Sequence, residues 1–187
     1  RRQGQSAGES FASSTIDNLL KPWGVTVATD HVIADYQAAQ QVNAGQGAGQ
    51  RIVRYLVWLQ IAAENLNPSD VVTSNLGPMI FANAGTVRSL GDSKTKVTPL
   101  ITTSKQAMRM DTNIIRFGPA PDRLLELFKP DGETHMIAAR LSGAVNSAFP
   151  DGPPKSKDGK QNKNAKPDNA KHLTKSRKDI GVIVVAD

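Results

Sequence analysis

Between Asp151 and Lys178 the only aliphatic residues are Ala165, Ala170 and Leu173, and this hydrophilic block decides where a core can lie. So few apolar side chains cannot offset the entropy of ordering the chain. Segment 151–178 therefore reads as a disordered, lysine-rich insert. A fold has to be assembled from what precedes it and from the closing apolar run Ile180–Ala186. A chain of 187 residues suits one domain, so a single domain over 1–187, interrupted by the insert, is expected. The start at Arg1 and the stop at Asp187, directly after an apolar strand, lead us to expect a piece of a longer, membrane-anchored protein.

The insert also explains the charge. It holds nine Lys/Arg against three Asp, a balance of +6 that equals the net charge of the whole chain, so the remainder is neutral. Aromatic residues are absent from it, so the stacking platform that single-strand binders use is missing. Nucleic acid is not an expected partner. Binding of an anionic polymer, a lipid headgroup or an acidic partner by the lysine loop stays open beside a plain solvated spacer. The chain has no cysteine, which excludes thiol nucleophiles, Cys-ligated zinc and disulfides. No run reaches the ~18–20 apolar residues that span a bilayer, and no signal peptide is visible.

Periodicity predicts a helix over 11–21, capped by Ser13 or Ser14 and stopped by Pro22 to Gly24. Strands are expected at Val25–Ala28, through Val32 and Ile33, at Ile52–Ile61, Met79–Val87, Val97–Ile101 and Thr134–Leu141. Residues 37–50 read as a loop, 70–76 as a short helix, 104–110 as a helix, and Leu124–Phe128 as a helical turn or short strand. Ile180–Ala186 is continuously apolar, the pattern of a central strand buried on both faces in a parallel sheet. Strands alternating with short helices argue for an α/β layered sandwich with a largely parallel or mixed sheet. Pro99 cannot donate to a ladder, so its strand lies at an edge or begins near Leu100.

Thr102-Thr103-Ser104 stands where that strand should meet a helix. Three hydroxyls with helix N-terminal amides could bind an anion or other ligand; an ordinary helix cap uses the same residue types. Gly45-Gln46-Gly47-Ala48-Gly49 lacks the sixth-position Gly and the preceding strand of a dinucleotide loop. His31, His135 and His172 are too scattered to suggest a metal site. Asp30 and Asp35 could form an acid–base pair or simply be solvated. Ser142 and Ser147 lack the Gly-x-Ser-x-Gly context of a nucleophile elbow. No catalytic residues and no cofactor are expected.

Three blocks in order resemble the gliding-motility-type ABC transporter auxiliary proteins. Leu19-Leu20-Lys21-Pro22-Trp23-Gly24-Val25 is similar to that family's leucine-leucine…tryptophan-glycine turn. Thr98-Pro99-Leu100-Ile101-Thr102-Thr103-Ser104 is similar to its threonine-proline-leucine-leucine-x-threonine-serine run, and Ala138–Phe149 to its alanine-x-x-leucine-x-glycine…serine-alanine-phenylalanine pattern. Ile183–Asp187 fits its late strand. The resemblance implies a fold like a glutamine-amidotransferase or flavodoxin-like domain. It also implies a place on the extracytoplasmic (periplasmic) side of the inner membrane, with an ABC permease and ATPase as partners. Membrane anchorage would come through segments outside residues 1–187, and homo-oligomerisation stays open. The expected function is a non-enzymatic binding or scaffolding domain. The alternative is a hydrolase or sugar-active enzyme using Thr102 to Ser104 with Asp187 at adjacent strand ends.

Overall fold

A computed structural model describes residues 16–45, 49–91, 94–152 and 172–187. Strand accounts for 40% of them and helix for 14%, and every ladder between the named strands is antiparallel. The layered α/β sandwich, and with it the amidotransferase-like or flavodoxin-like expectation, is therefore overturned: the chain is mostly antiparallel β. The largest sheet combines β1 (Val25–Val27), β6 (Val87–Ser89), β7 (Lys96–Thr102), β9 (Met136–Gly143) and β10 (Ile180–Val185). A second pairs β2 (His31–Asp35) with β8 (Ala107–Asp111), and a third runs β3 (Ala39–Asn43), β4 (Ile52–Ile61), β5 (Met79–Ala82).

The error has a local cause. Residues 104–110 carry Ala, Gln and Met, good helix formers, yet 107–111 form β8 because β2 offers a complete partner, from His31 opposite Asp111 to Asp35 opposite Ala107. Tertiary pairing overrides propensity here. Residues 70–76 are a turn and bend rather than a helix. Without those helices, no crossover among the described residues makes strands parallel. Ala39–Asn43, inside the expected loop, pairs with β4. The expected strand 79–87 is two strands, divided where Asn83 takes a left-handed φ of 62°.

Helix α1 (Asp17–Leu20) runs into a 3₁₀ turn that Gly24 closes at φ 82°, its N–H donating to Lys21 O at 2.9 Å. The expected caps Ser13 and Ser14 lie outside the described residues. Two further helices, α2 (Thr112–Ile115) and α3 (Pro121–Leu127), follow β8. The expected loop 37–50 falls partly, and the insert 151–178 mostly, outside the described residues.

β9 is the axis of the molecule. Its Ser142 faces Lys96 of β7 and Gly181 of β10, so the two strands flank it on opposite sides. Ile137 and Ala138 pack with Ile33, Leu59 and Ile101 in one apolar cluster, while Ala139 and Leu141 pack with Leu20, Val25 and Val184 in another. A third cluster joins Val32, Leu56, Met110 and Leu124. β10, expected to be central, ends the sheet. Its Val182 and Val184 face the core, but Ile183 and Val185 are 44% and 48% exposed. The edge expected for Pro99 is present, since β7 pairs only with β9 within the sheet, and the ladder shifts register between Pro99 and Ile101.

Candidate functional site

The apolar stretch Val32-Ile33-Ala34 carries β2 into the interior and leaves Asp35 fully buried at its end. A buried carboxylate must be hydrogen-bonded, and this one is. Its Oδ1 accepts from Gln37 N at 2.9 Å and Ala38 N at 3.1 Å, closing the β2–β3 turn. It also accepts from Ser104 Oγ at 2.7 Å, while Oδ2 accepts from Ser104 N at 2.6 Å. Ser104 Oγ in turn accepts from Gln106 N at 3.0 Å.

That geometry locates the three hydroxyl residues. Thr103 is buried, and its Oγ1 accepts from His135 N at 2.8 Å. Thr102 closes β7, its carbonyl accepting from Asn65 Nδ2 at 3.0 Å. No helix follows, so the N-terminal amides an anion would need are not there; the strand β8 follows instead. The Ser104 amide and hydroxyl both point to a carboxylate. The run is a clasp between β2 and the β7–β8 connection.

The remaining candidates do not converge. Asp30 is exposed at the other end of β2 from Asp35 and pairs with His31 Nδ1 at 2.8 Å, which holds its carboxyl below the usual range. His135 Nε2 lies 2.9 Å from Asp131 Oδ2, and His172 Nε2 meets the Phe149 carbonyl. Ser142 pairs with Gly181 and Lys96 near the end of β9, and Ser147 Oγ accepts from Phe149 N. No group of three or more His, Cys, Asp or Glu that could hold a metal occurs among the described residues. Asp187 lines a cavity of about 480 Å³ with His31, Thr112 and Val185, and none of Thr102, Thr103 and Ser104 reaches it. The strand-end grouping that an enzyme reading required is therefore not assembled.

Sequence reasoning missed two polar links. Sequence spacing offers Asp35 as an acid–base partner of Asp30 or as a solvated side chain, although an Asp ending an apolar strand before a turn is the signal for a buried Asx-type acceptor. Arg140 of β9 meets Asp70 in the 67–76 loop, and that pairing leaves no mark in sequence spacing.

These elements define a predominantly antiparallel β domain whose buried polar groups hold connections together. The chain belongs to the family described as ABC-type uncharacterized transport system, whose family model matches residues 1–187. That assignment makes it an auxiliary component of an ABC transport system. No curated protein and no solved structure matches the chain. Among the described residues no helix is long and apolar enough to cross a membrane.

Proposed function

We propose that the chain is a non-enzymatic binding or scaffolding domain of a gliding-motility-like ABC transport system. It stands outside the cytoplasmic membrane as part of a longer, membrane-anchored protein and works beside the permease and ATPase subunits. One observation carries the non-enzymatic half. Among the described residues, the only close pairing of a candidate hydroxyl with a buried carboxylate, Ser104 with Asp35, also engages the backbone amides of Gln37, Ala38 and Ser104. A catalytic dyad needs one face open to substrate; this one closes a turn and joins two strands. Family membership supports the transport half.

The test is topological and biochemical. A reporter active only outside the cytoplasm, fused after residue 187 in the full-length protein, is expected to be active, and affinity purification from membranes is expected to bring down a permease and an ATPase. A cytoplasmic reporter would sink the location; purification without either subunit would sink the partnership.

A further inference from the structure

Two adjoining hollows lie beside the 3₁₀ turn, and they differ in chemistry. The first, about 450 Å³, receives Lys21 from the turn, Lys94 from the approach to β7, and Lys175 from the segment leading to β10. Among the described residues no Asp or Glu lines it. Lys21 keeps Asp17 at 3.1 Å on its helix side and is still 59% exposed; Lys94 and Lys175 are exposed and form no ion pair among the described residues. The second hollow, about 230 Å³, shares Asn146 and Lys175 with the first and is lined by Leu19, Trp23, Phe149 and Leu173.

The backbone fixes this arrangement. Gly143 ends β9 at φ 120°, and a Cβ there would meet Lys94 O at 3.2 Å, so glycine lets the backbone leading into β7 approach. Asn146 and Lys175 form an antiparallel bridge, flanked by Ser147 N to Thr174 O at 2.8 Å and Ser176 N to Val145 O at 2.9 Å. Trp23 Nε1 donates to Asn146 O at 3.1 Å, holding the indole in the wall of the second hollow. Four large apolar side chains stand around the lysines with 37% to 47% of their surface in solvent: Leu19, Leu90, Phe149 and Leu173. Exposing that much apolar surface in one place is costly unless something covers it.

We infer that this face docks on an anionic lipid surface, with Lys21, Lys94 and Lys175 taking headgroup phosphates while Leu19, Leu90, Phe149 and Leu173 enter the headgroup–acyl boundary. Lysine suits the role because its stem lies along apolar surface while its ammonium reaches out to charge. Trp23, with an apolar ring and a hydrogen-bonded N–H, is the side chain found at such boundaries. A charge-only partner would not need the apolar rim, and an apolar partner would not tolerate three ammonium groups. The inference stands on these side chains and is independent of the topology proposed above. Lys155, Lys157, Lys160, Lys163, Lys166 and Lys171 precede Lys175 in the sequence and lie outside the described residues, so they form no part of this face.

Sedimentation of the 187-residue chain with vesicles of phosphatidylglycerol in phosphatidylcholine, and of phosphatidylcholine alone, tests it. Binding is expected to the anionic vesicles only and to weaken with salt. Lys94→Gln with Lys175→Gln is expected to cost about fivefold per lysine. Lys94→Arg with Lys175→Arg, a charge-retaining control, is expected to bind as the wild type does. Phe149→Ser with Leu173→Ser is expected to lower binding at every salt concentration, and Gln at the six neighbouring lysines to leave that apolar dependence in place. Circular dichroism establishes that each variant is folded. Failure to bind anionic vesicles would overturn the inference, as would binding that ignores Lys94 and Lys175 and vanishes with the six neighbouring lysines. Capture of inorganic pyrophosphate or polyglutamate that competes fully with vesicles, with no effect of Phe149→Ser and Leu173→Ser, would overturn it in favour of a soluble anion or an acidic protein.

Discussion

Arg140 reaches from the middle of β9 to Asp70 with two parallel hydrogen bonds, Nε to Oδ2 at 2.9 Å and Nη2 to Oδ1 at 2.6 Å. Asp70 Oδ1 also accepts from Val72 N at 2.9 Å, so one carboxylate both shapes the 67–76 loop and ties it to the sheet. The same loop is stitched to β7 by Asn67, whose N donates to Leu100 O and whose Nδ2 donates to Pro99 O, both at 2.9 Å. Asn67 thereby satisfies carbonyls on the outer edge of β7, an edge that would otherwise be open to another strand.

The Arg140 guanidinium, and then the Val72 amide, hold the Asp70 carboxyl below the usual carboxylate range. A depressed folded-state value means stability that is complete above the unfolded value and is lost as pH falls through the folded one. Arg140→Met is expected to lower the thermal midpoint at neutral pH, and its gap from wild type is expected to close as pH drops below about 4. Thermal unfolding of both proteins across that range checks the sign. A gap that widens in acid would contradict it.

Asp35 holds four donors in a fully buried place. Asp35→Ala leaves them without an acceptor and is expected to cost about 3 kcal/mol, whereas Ser104→Ala removes two bonds, to Asp35 and from Gln106 N, and is expected to cost about 2 kcal/mol. Urea unfolding should show the first loss as the larger. A double variant should fall short of the sum, because the two residues share an interaction.

Thr86 is buried, and its Oγ1 has no hydrogen-bond partner among the described residues. Valine has the same shape without the hydroxyl, so Thr86→Val is expected to be neutral or to stabilise by about 1 kcal/mol. A clear destabilisation in denaturant would show that the hydroxyl has a partner after all.

β10 has two unlike faces. Val184 is buried in the cluster of Leu20, Val25 and Leu141, and Val184→Ala is expected to cost about 2 kcal/mol. Ile183, on the outward face, is expected to tolerate threonine within about 0.5 kcal/mol. Equal costs at the two positions, by chemical denaturation, would contradict the assignment of a buried and an outward face to β10.

That strand also shows how far the sequence could be read. The continuous apolar run Ile180–Ala186 signals a strand, and a strand is there over Ile180–Val185. Its direction and its place in the sheet were not legible, because Ile183 and Val185 face outward without the polar residues that normally mark a solvent face. Pro99 was more informative, since a missing N–H is a physical constraint rather than a preference, and its strand is at an edge. The 104–110 segment failed for the opposite reason: its preference for helix was genuine but weaker than the ladder offered by β2. As for the hydroxyl run, its residue types were visible, but its carboxylate partner stands 69 residues away at Asp35, and no local pattern reports such a distance.

The placement of β9 between β7 and β10 has a consequence for the nascent chain. β7 is made before β9 and can pair with it at once, but Ile180 emerges roughly 36 residues after Gly143. At about 5–20 residues per second, one flank of β9 waits several seconds for its neighbour during synthesis. Lengthening the intervening stretch would add little free energy, about 0.6 kcal/mol per doubling, yet it would prolong that wait in direct proportion. Selection on its length would then act on the time an unpaired strand stays open to other chains, rather than on the stability of the finished sheet.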